Sequence, residues 1–492
     1  MLALLAAAMA AGAGAGRAQG PPSAAPAEGM ALTLSEAVFM AVRENPSVRS
    51  AHVGRVAQKF ALEAAEEMFS PKGGVTASLD GSRGTPYFTD SAGRPFISRG
   101  ASLTPAINWK IPTGAQLTAA WGQKLSSSSV SNALNDSNMS VEVRQPLLQG
   151  FGGDIAEVPL RAARRREEGN VRNLETTIGS TIASVIEAYR ALVRARGSLA
   201  IGELAVQRAR RLIEVNEQLI AAGRMPAQNR IQAEADLARQ ELSFSRSNQS
   251  YDLARLRLIQ LLDLPETTRL NPTEPMDVKR FKFDLKKVTG TAMVRRADIR
   301  QAQLAVADQE EALKLAEDAE RWRLDLVARG SRWTSESGYY DAFQNAFFVD
   351  RPGSDASVGV QLTVPFWDKQ PELRRIEAKT GLEQARIALR ERESAARNEV
   401  MSAVNTVELS WREWELSVKA LDLARQKLDQ ENVKLSLGRT TNFQVVQYQN
   451  DLVAQENAEL SSRIAYLNAL TSLDRAVGTT LDTWEIKVEA GP

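Results

Sequence analysis

Two kinds of hydrophobic periodicity divide the chain. Apolar residues spaced alternately three and four apart run through two long stretches without internal proline. One extends from about Pro159 to Ala222, the other from about Pro371 to Leu437. In the second the frame is Val400, Val404, Val407, Trp411, Trp414, Val418, Leu421, Leu428 and Leu435. In the first it is Val185, Tyr189, Leu192, Leu199, Val206, Ile213 and Ile220, with charged residues such as Arg196, Glu203, Arg210 and Glu217 at intervening seam positions. This is the pattern of a coiled-coil seam. At ~1.5 Å per residue, such helices reach nearly 100 Å. So long a helix needs neighbours along its whole length. Return helices over Ala227–Leu262 and Asn442–Val477 supply some, each separated from its outgoing helix by a short Gly-Arg turn.

Residues 72–147 have a different period. Alternation in Val75–Asp80, Ile107–Ile111, Gln116–Trp121 and Met139–Val143 predicts strands. Pro112-Thr113-Gly114 predicts a tight turn, and the Ser/Asn-rich residues 125–138 predict an exposed loop. Further on, strands are expected from Leu324 to Arg332 and from Ala356 to Pro365. A loop carrying Tyr339, Tyr340, Phe343, Phe347 and Phe348 lies between them. These strands are amphipathic, with Trp and Tyr near their ends, which suits a transmembrane barrel. An ordinary soluble β-meander is the other reading. Pro146 and Pro365 end the strand regions because proline donates no ladder hydrogen bond.

The two periods recur in the same order. At an offset of 215, Val185, Ala205, Ala209, Arg210, Gly223, Arg224, Gln232, Asp236 and Tyr251 fall on Val400, Ala420, Ala424, Arg425, Gly438, Arg439, Gln447, Asp451 and Tyr466. An earlier helix pair opens at Leu34 with Ser35 as its expected N-cap, and Asn45-Pro46 punctuates it. Its counterpart around Arg296–Arg300 lies at an offset of 251, so the first half carries 36 extra residues of loop and strand. The expected fold is mainly α with a transmembrane β-barrel, built from a duplicated helix–strand–strand–long hairpin unit. The first repeat spans 31–262, with strands 72–147 and long hairpin 155–262. The second spans 291–480, with strands 324–366 and long hairpin 371–478. A proline-bearing linker, 263–290, joins them, and 481–492 form a tail.

Composition then narrows the chemistry. Residues 1–18 are almost purely Ala, Leu, Met and Gly and end in Gly16-Arg17-Ala18, a small-x-small cleavage pattern. They predict a secretory signal, followed by a Pro/Ala-rich linker over 19–30. No Lys or Arg precedes the apolar run. The chain has no Cys and a single His, His52, which excludes disulfides, thiolate metal sites and Cys nucleophiles. A net charge of +1 leaves no electrostatic footprint for nucleic acid. Glu317, Asp318 and Glu320 cluster in a helical Ala/Glu context and read as a solvated face. No residue is assigned to catalysis, to a cofactor or to a metal, and no enzyme activity is expected. An exported soluble coiled-coil scaffold with a β insertion is the alternative to a channel.

The order of elements, together with particular phrases, resembles the TolC family of outer-membrane efflux proteins. The phrases are LTLSEAVFMAVRENPSVRSA (32–51), QPLLQGFGGD (145–154), LGRTTNFQVVQYQNDLVAQENAEL (437–460) and AYLNALTSLDRAVGTTL (465–481). The resemblance covers roughly residues 31–487. It implies a homotrimer in the bacterial outer membrane. Four strands from each chain would join into a twelve-stranded barrel, and the helices would form a periplasmic α-barrel. It also implies a passive conduit for tripartite efflux or type I secretion, opened by a periplasmic adaptor and served by an inner-membrane pump or secretion ATPase.

Carried over by position, the resemblance puts adaptor docking at the hairpin tips, Ala222, Gly223, Arg224, Leu437, Gly438 and Arg439. It puts the pore constriction at Gln444, Gln447 and Tyr448. Some family members hold an acidic ring at the first two of these positions. Glutamine cannot supply a carboxylate field, so closure here is expected to rest on helix position and hydrogen bonds, from Arg439, Gln444, Gln447 and Tyr448. Asp451, the nearest acid, has a counterpart at Asp236 and is expected in a helix-surface salt bridge. Four strand-like segments in the first half exceed the family's two. The expectation is a standard barrel with an added or lengthened hairpin around Pro112-Thr113-Gly114.

Overall fold

The computed structural model describes residues 30–84, 97–128, 134–274, 276–337, 341–342, 344, 353–437 and 439–486. The expected signal, the aromatic residues 339, 340, 343, 347 and 348, and Gly438 lie outside the described residues.

Helices α1 (Leu34–Glu44) and α2 (Pro46–Glu66) lead into strand β2 (Lys72–Arg83), after a short strand β1 (Met30–Leu32). Strands β3 (Ile97–Lys110), β4 (Gln116–Ser128) and β5 (Leu134–Pro146) follow. A helical turn α3 (Gly153–Ala156) leads into α4 (Val158–Ala221), which returns as α5 (Gln228–Leu262). The second half runs β6 (Leu270–Pro272), α6 (Leu285–Arg295), α7 (Ala297–Ala319), β7 (Arg323–Glu336) and β8 (Gly353–Thr363). It ends in α8 (Gln370–Ser436), α9 (Asn442–Val477) and the turn α10 (Thr480–Thr483). At an offset of 251, α1 falls on α6 end to end, and at 215 the C-terminal end of α4 falls on that of α8.

Return helices α5 and α9 are little more than half as long as the helices they pair with. The remaining length of α4 packs on α2 and that of α8 on α7. Ion pairs staple these upper contacts. Arg55 of α2 forks onto Glu167 of α4, and Arg161 and Arg165 of α4 reach Glu311 of α7 at 2.8 and 3.1 Å. The Arg55 hydrogen bond holds the Glu167 carboxyl below the ordinary glutamate range. Burial pushes Glu311 the other way, and the bonds from Arg165 and Arg161 outweigh it.

The densest packing surrounds α4 from Thr181 to Leu192, where α1, α5 and the β1–β6 pair converge. Tyr189 is fully buried there. Its hydroxyl donates to the Leu32 carbonyl at 2.9 Å and accepts from the Glu274 backbone at 3.3 Å. Tyr466 does the same for the stretch after β6, donating to the Lys279 carbonyl at 2.8 Å and accepting from the Phe281 backbone at 3.3 Å. Arg190 joins α4 to α9 through the Leu467 carbonyl at 2.7 Å and the Thr471 hydroxyl at 2.7 Å. Burial pulls its guanidinium down to about 10, still cationic at neutral pH. The expected linker is thus pinned to the helices by two buried tyrosines.

The structure differs from the sequence expectations in several places. The cap of α1 is Thr33, not Ser35. Thr33 Oγ1 accepts from the Glu36 amide and the Glu36 carboxylate accepts from the Thr33 amide, a capping box that Ser35 is misplaced to make. The expected loop at 125–138 is mostly strand, because its polar side chains pair across the ladder. Gln123 Nε2 and Trp121 Nε1 both donate to Ser137 Oγ, at 2.8 and 3.1 Å. Asp318 is buried, not solvated. It accepts from the Gly150 amide at 2.7 Å and so closes the corner between β5 and α3. In the long seams, Val418 is exposed, and Ala205, Ala209, Leu212 and Asn216 carry the burial instead of Ile213 and Ile220.

The largest departure concerns the hairpin at Pro112-Thr113-Gly114. It is no accessory. Six strands form one antiparallel sheet in the order β2-β3-β4-β5-β7-β8, so β3 and β4 lie between β2 and β5. The turn is fastened to the corner beyond β5, where the Gly152 amide donates to the Thr113 carbonyl at 3.0 Å. Gly114 has φ +90°, and a Cβ there would stand 2.3 Å from the Gly150 carbonyl oxygen, so only glycine fits this approach.

Candidate functional site

Each strand presents alternate residues to opposite faces. The registers Val75↔Pro105, Ile107↔Ala119, Ala119↔Val141, Val141↔Gly330 and Gly330↔Ala356 place Val75, Leu79, Leu103, Ile107 and Leu117 on one face. The same face continues through Val141, Val143, Leu326, Val358 and Val360. Leu79 is 89% exposed, Val75 67% and Val358 76%. The opposite face carries Ser78, Ser102, Asn108, Thr118, Lys124 and Glu142. Several of its charges are paired: Arg329 and Arg144 both bond Glu142, and Arg144 and Arg323 reach Asp325 at 3.3 and 2.9 Å. Strands of 11 to 14 residues match the ~9–11 residues that cross a bilayer at a steep tilt, with a margin at each end. An apolar face of this extent is unfavourable in water and suited to lipid. Among the described residues no helix is long and apolar enough to span a membrane, and no group of His, Cys, Asp and Glu could hold a metal ion.

The helices carry a second unpartnered surface. On α8, Leu409, Leu416 and Leu423 recur every seven residues and are all exposed, 56–65%. On α2, Val53, Val56 and Phe60 form a shorter stripe, also exposed. Apolar stripes at heptad spacing fit neighbouring helices better than water.

At the far end of the hairpins, α4 ends in a Schellman turn. The Arg224 amide bonds the Leu219 carbonyl at 2.8 Å, the Gly223 amide bonds Ile220 at 2.9 Å, and Gly223 has φ +70°. In the second hairpin the Arg439 amide bonds the Lys434 carbonyl at 2.9 Å across the same number of residues. Ala222, Gly223, Arg224, Leu437 and Arg439 are all exposed. Beside the second turn, Thr440 and Lys434 (3.0 Å) bond Glu431. The Thr440 hydroxyl bond, more than the lysine, holds that carboxyl below its ordinary range.

The three glutamine and tyrosine candidates sit on α9 in different settings. Gln444 is half-buried in the first turn, its amide capped by Thr441. Gln447 is exposed, and its Nε2 donates to Asp451 on its own helix at 3.2 Å. Tyr448 is half-buried against the tip cluster of Leu212, Leu428, Val445 and Leu452. Bonds that tie one hairpin to the other near the tips come from other side chains. Asn216 Nδ2 donates to Asn442 Oδ1 at 3.0 Å, and Asn442 Nδ2 donates to the Asn229 carbonyl at 3.2 Å. Further along, Gln240 Nε2 donates to Asn450 Oδ1 at 2.7 Å, and Asn450 Nδ2 to Asp236 Oδ1 at 3.4 Å. Asp236 is therefore buried at 1% exposure, whereas its counterpart Asp451 is exposed. A signal was present in the sequence: Asn216 continues the spacing of Ala205, Ala209 and Leu212, where a buried amide needs a partner.

No protein-family model matches the chain, and no curated protein matches it. Solved structures do. The Campylobacter jejuni CmeC outer membrane channel is similar, with a TM-score of 0.69 at 14% identity, over 91% of this chain and 86% of that one. The outer membrane protein VceC of Vibrio cholerae gives 0.67 at 15% identity, over 90% and 96%. The open state of the Neisseria gonorrhoeae MtrE outer membrane channel gives 0.65 at 17%, over 91% and 89%. At these identities the likeness is one of fold: the chain has the fold of outer membrane channels, a helical rod joined to a β-sheet.

Proposed function

We propose that the chain is a TolC-family outer-membrane factor. Three copies form a passive conduit, the sheet in the outer membrane and the helices in the periplasm, for tripartite efflux or type I secretion. The observation that carries this reading is the sheet itself, one face apolar and exposed, the other polar with paired charges, continuous with helices ~100 Å long. A soluble scaffold would leave Val75, Leu79, Val358 and Val360 in water. The exposed stripes of α8 and α2 are then the seams between copies. The alignment at offsets of 215 and 251 supports descent of the two halves from one duplicated unit.

The hairpin tips, with Ala222, Gly223 and Arg224 in one and Leu437, Gly438 and Arg439 in the other, receive the periplasmic adaptor, which is served by an inner-membrane pump or secretion ATPase. Binding of the adaptor at the tips favours an open arrangement of the hairpins over a closed one. No catalytic step is involved, and cargo choice lies with the inner-membrane partner. Expressed with its own leader in a Gram-negative host, the chain should fractionate with the outer membrane and purify in detergent as a trimer. A monomer that purifies from the periplasm without detergent would overturn the reading.

Gln444, Gln447 and Tyr448 lie at the constriction, which lacks an acidic ring. Gln444→Asp in all three copies places three carboxylates around the pore and should raise cation preference in single-channel recordings. An unchanged reversal potential would remove Gln444 from the constriction.

A further inference from the structure

The sheet has two bare edges. Among the described residues β2 pairs only with β3, and β8 only with β7. Both are 11 or 12 residues long, and an unpaired ladder of that length cannot remain open to lipid. α2 leads into β2 and β8 leads into α8, so β2 runs away from the helices and β8 back toward them. β8 of one copy laid beside β2 of the next is therefore antiparallel. The same juxtaposition lines up Val75, Ala77 and Leu79 with Val358, Val360 and Leu362 on one apolar face.

What lies between those edges sets the size of the pore. β3 and β4 are bonded on both sides: β2 and β3 pair from Lys72↔Asn108 to Arg83↔Ile97, and β4 and β5 from Gln116↔Arg144 to Ser126↔Leu134. The two faces continue through the inserted pair, with polar exceptions such as Arg99 and Gln123 on the apolar side. Its turn is locked to the β5 corner by Thr113, which takes the Gly152 amide at 3.0 Å and donates from Oγ1 to Gln145 at 3.1 Å. For β2 to pair with β5 instead, the hairpin would have to break both of these ladders and the bonds at Thr113.

We propose that three copies close a single barrel of eighteen strands, six from each chain, with β8 of one copy paired to β2 of the next. The proposal rests on the trimeric channel reading above and deepens it. Barrel diameter grows roughly in proportion to strand number. With strands ~4.8 Å apart and tilted ~40°, the backbone radius is about 18 Å, against about 12 Å for twelve strands. An eighteen-stranded barrel leaves an aqueous lumen. The polar face lines it with Ser102, Asn108, Thr118 and the paired Glu142 and Arg144. The outer-membrane section is then a wide, hydrophilic exit that does not select by size. Bulky hydrophilic cargo passes it, and selection by width is confined to the hairpin tips.

The chain has no cysteine, so introduced thiols report alone. In one set, Ala77→Cys is combined in turn with Val358→Cys, Val360→Cys and Leu362→Cys, and outer membranes are oxidised. At least one pair should give a covalent trimer on a denaturing gel. In the other set, Leu103→Cys, Leu117→Cys, Ser102→Cys and Thr118→Cys are made singly in trimers reconstituted into lipid vesicles and treated with a membrane-impermeant maleimide. Positions 102 and 118 should react at least about tenfold faster than 103 and 117, because a thiol facing lipid meets neither water nor the reagent. A covalent trimer with equal labelling at all four positions overturns the eighteen-stranded barrel and leaves the channel standing, with the hairpin outside it. A covalent ladder that ends at two or four copies overturns the count of eighteen. Absence of any cross-linked species with all three partners overturns both the barrel and the trimeric reading on which it rests.

Discussion

Gly223→Asn should leave the trimer folded yet weaken its binding to the adaptor at least about tenfold, whereas Gly223→Val should impair folding as well. The difference follows from the backbone. Gly223 has φ +70°, and a left-handed conformation costs an ordinary L-residue roughly 1–2 kcal/mol. Asparagine tolerates that region, and a β-branched side chain does not. A Cβ at Gly223 would meet nothing within 4 Å in the chain itself, so the first cost of either variant is the backbone conformation and not a contact at Cβ. Asparagine thus preserves the Schellman turn and adds only a side chain to an exposed tip. If the adaptor's backbone approaches closely there, the added atoms block it. The measurements are a thermal melt of the trimer and an equilibrium titration with a purified cognate periplasmic adaptor. Wild-type affinity in Gly223→Asn would reduce the glycine to a turn residue and move docking elsewhere.

What the sequence made legible was whatever repeats. Two periods, 3.5 and 2, and two constant offsets located α4, α5, α8 and α9 to within a few residues, because a long helix imposes its spacing on many positions at once. The β1–β6 pair was not legible. Three residues are too few to show a period, and Met30–Leu32 pairs in parallel with Leu270–Pro272, far along the chain. The Ser-rich ends of β4 and β5 were read as loop for a related reason. Their side chains are satisfied by one another across the ladder, as with Gln123 and Ser137, and a one-dimensional reading counts each as an exposed polar residue. The hairpin at Gly114 was recognised as strand-turn-strand, but its place in the sheet depends on pairings between distant residues.

The seams show the same limit. An apolar frame treats Arg196 and Arg210 as interruptions and leaves Asn216 off the seam. In the structure each is a contact: Arg196 bonds the Pro272 carbonyl at 2.9 Å, Arg210 pairs with Glu241 at 3.0 Å, and Asn216 is fully buried against Asn442. Repeats also mislead where the copies have diverged in role. Asp236 and Asp451 occupy matching positions, yet only Asp236 lies between the two hairpins. The first copy keeps the acid at the interface, and in the second copy Asn450, one residue earlier, faces it. In this arrangement the hydrogen bonds between the hairpins near the tips come from buried amides, while the exposed Gln447 that the resemblance singles out bonds Asp451 on its own helix.

Asn442→Ala should open the tips. Asn442 lies at 0% exposure, accepting from Asn216 and donating to the Asn229 carbonyl, so its side chain fastens α9 to both α4 and α5. The alanine leaves the Asn216 amide buried with no partner for its Nδ2, and Asn216 Oδ1 already lacks one. Stranding a buried polar group costs ~1–3 kcal/mol. That cost falls on the closed arrangement, because separation of the hairpins lets water reach the stranded amide. The ratio of open to closed tips then rises roughly 5- to 150-fold, visible as higher conductance of trimers in planar bilayers. Replacing both asparagines removes the stranded group along with its partner. Asn216→Ala combined with Asn442→Ala should therefore shift the ratio by less than the two single effects added together. A control at Asp422→Ala on α8, exposed and bonded to Gln426 of its own helix, should leave conductance unchanged. A melting temperature lowered in Asn442→Ala with conductance unchanged would make the amide pair a packing feature and not a latch. Effects that simply add in the double variant would show that the two asparagines do not act through each other. Since the bond joins neutral amides, conductance of the latched wild type should also vary little with ionic strength beyond what bulk conductivity explains, in contrast to a gate held by exposed ion pairs.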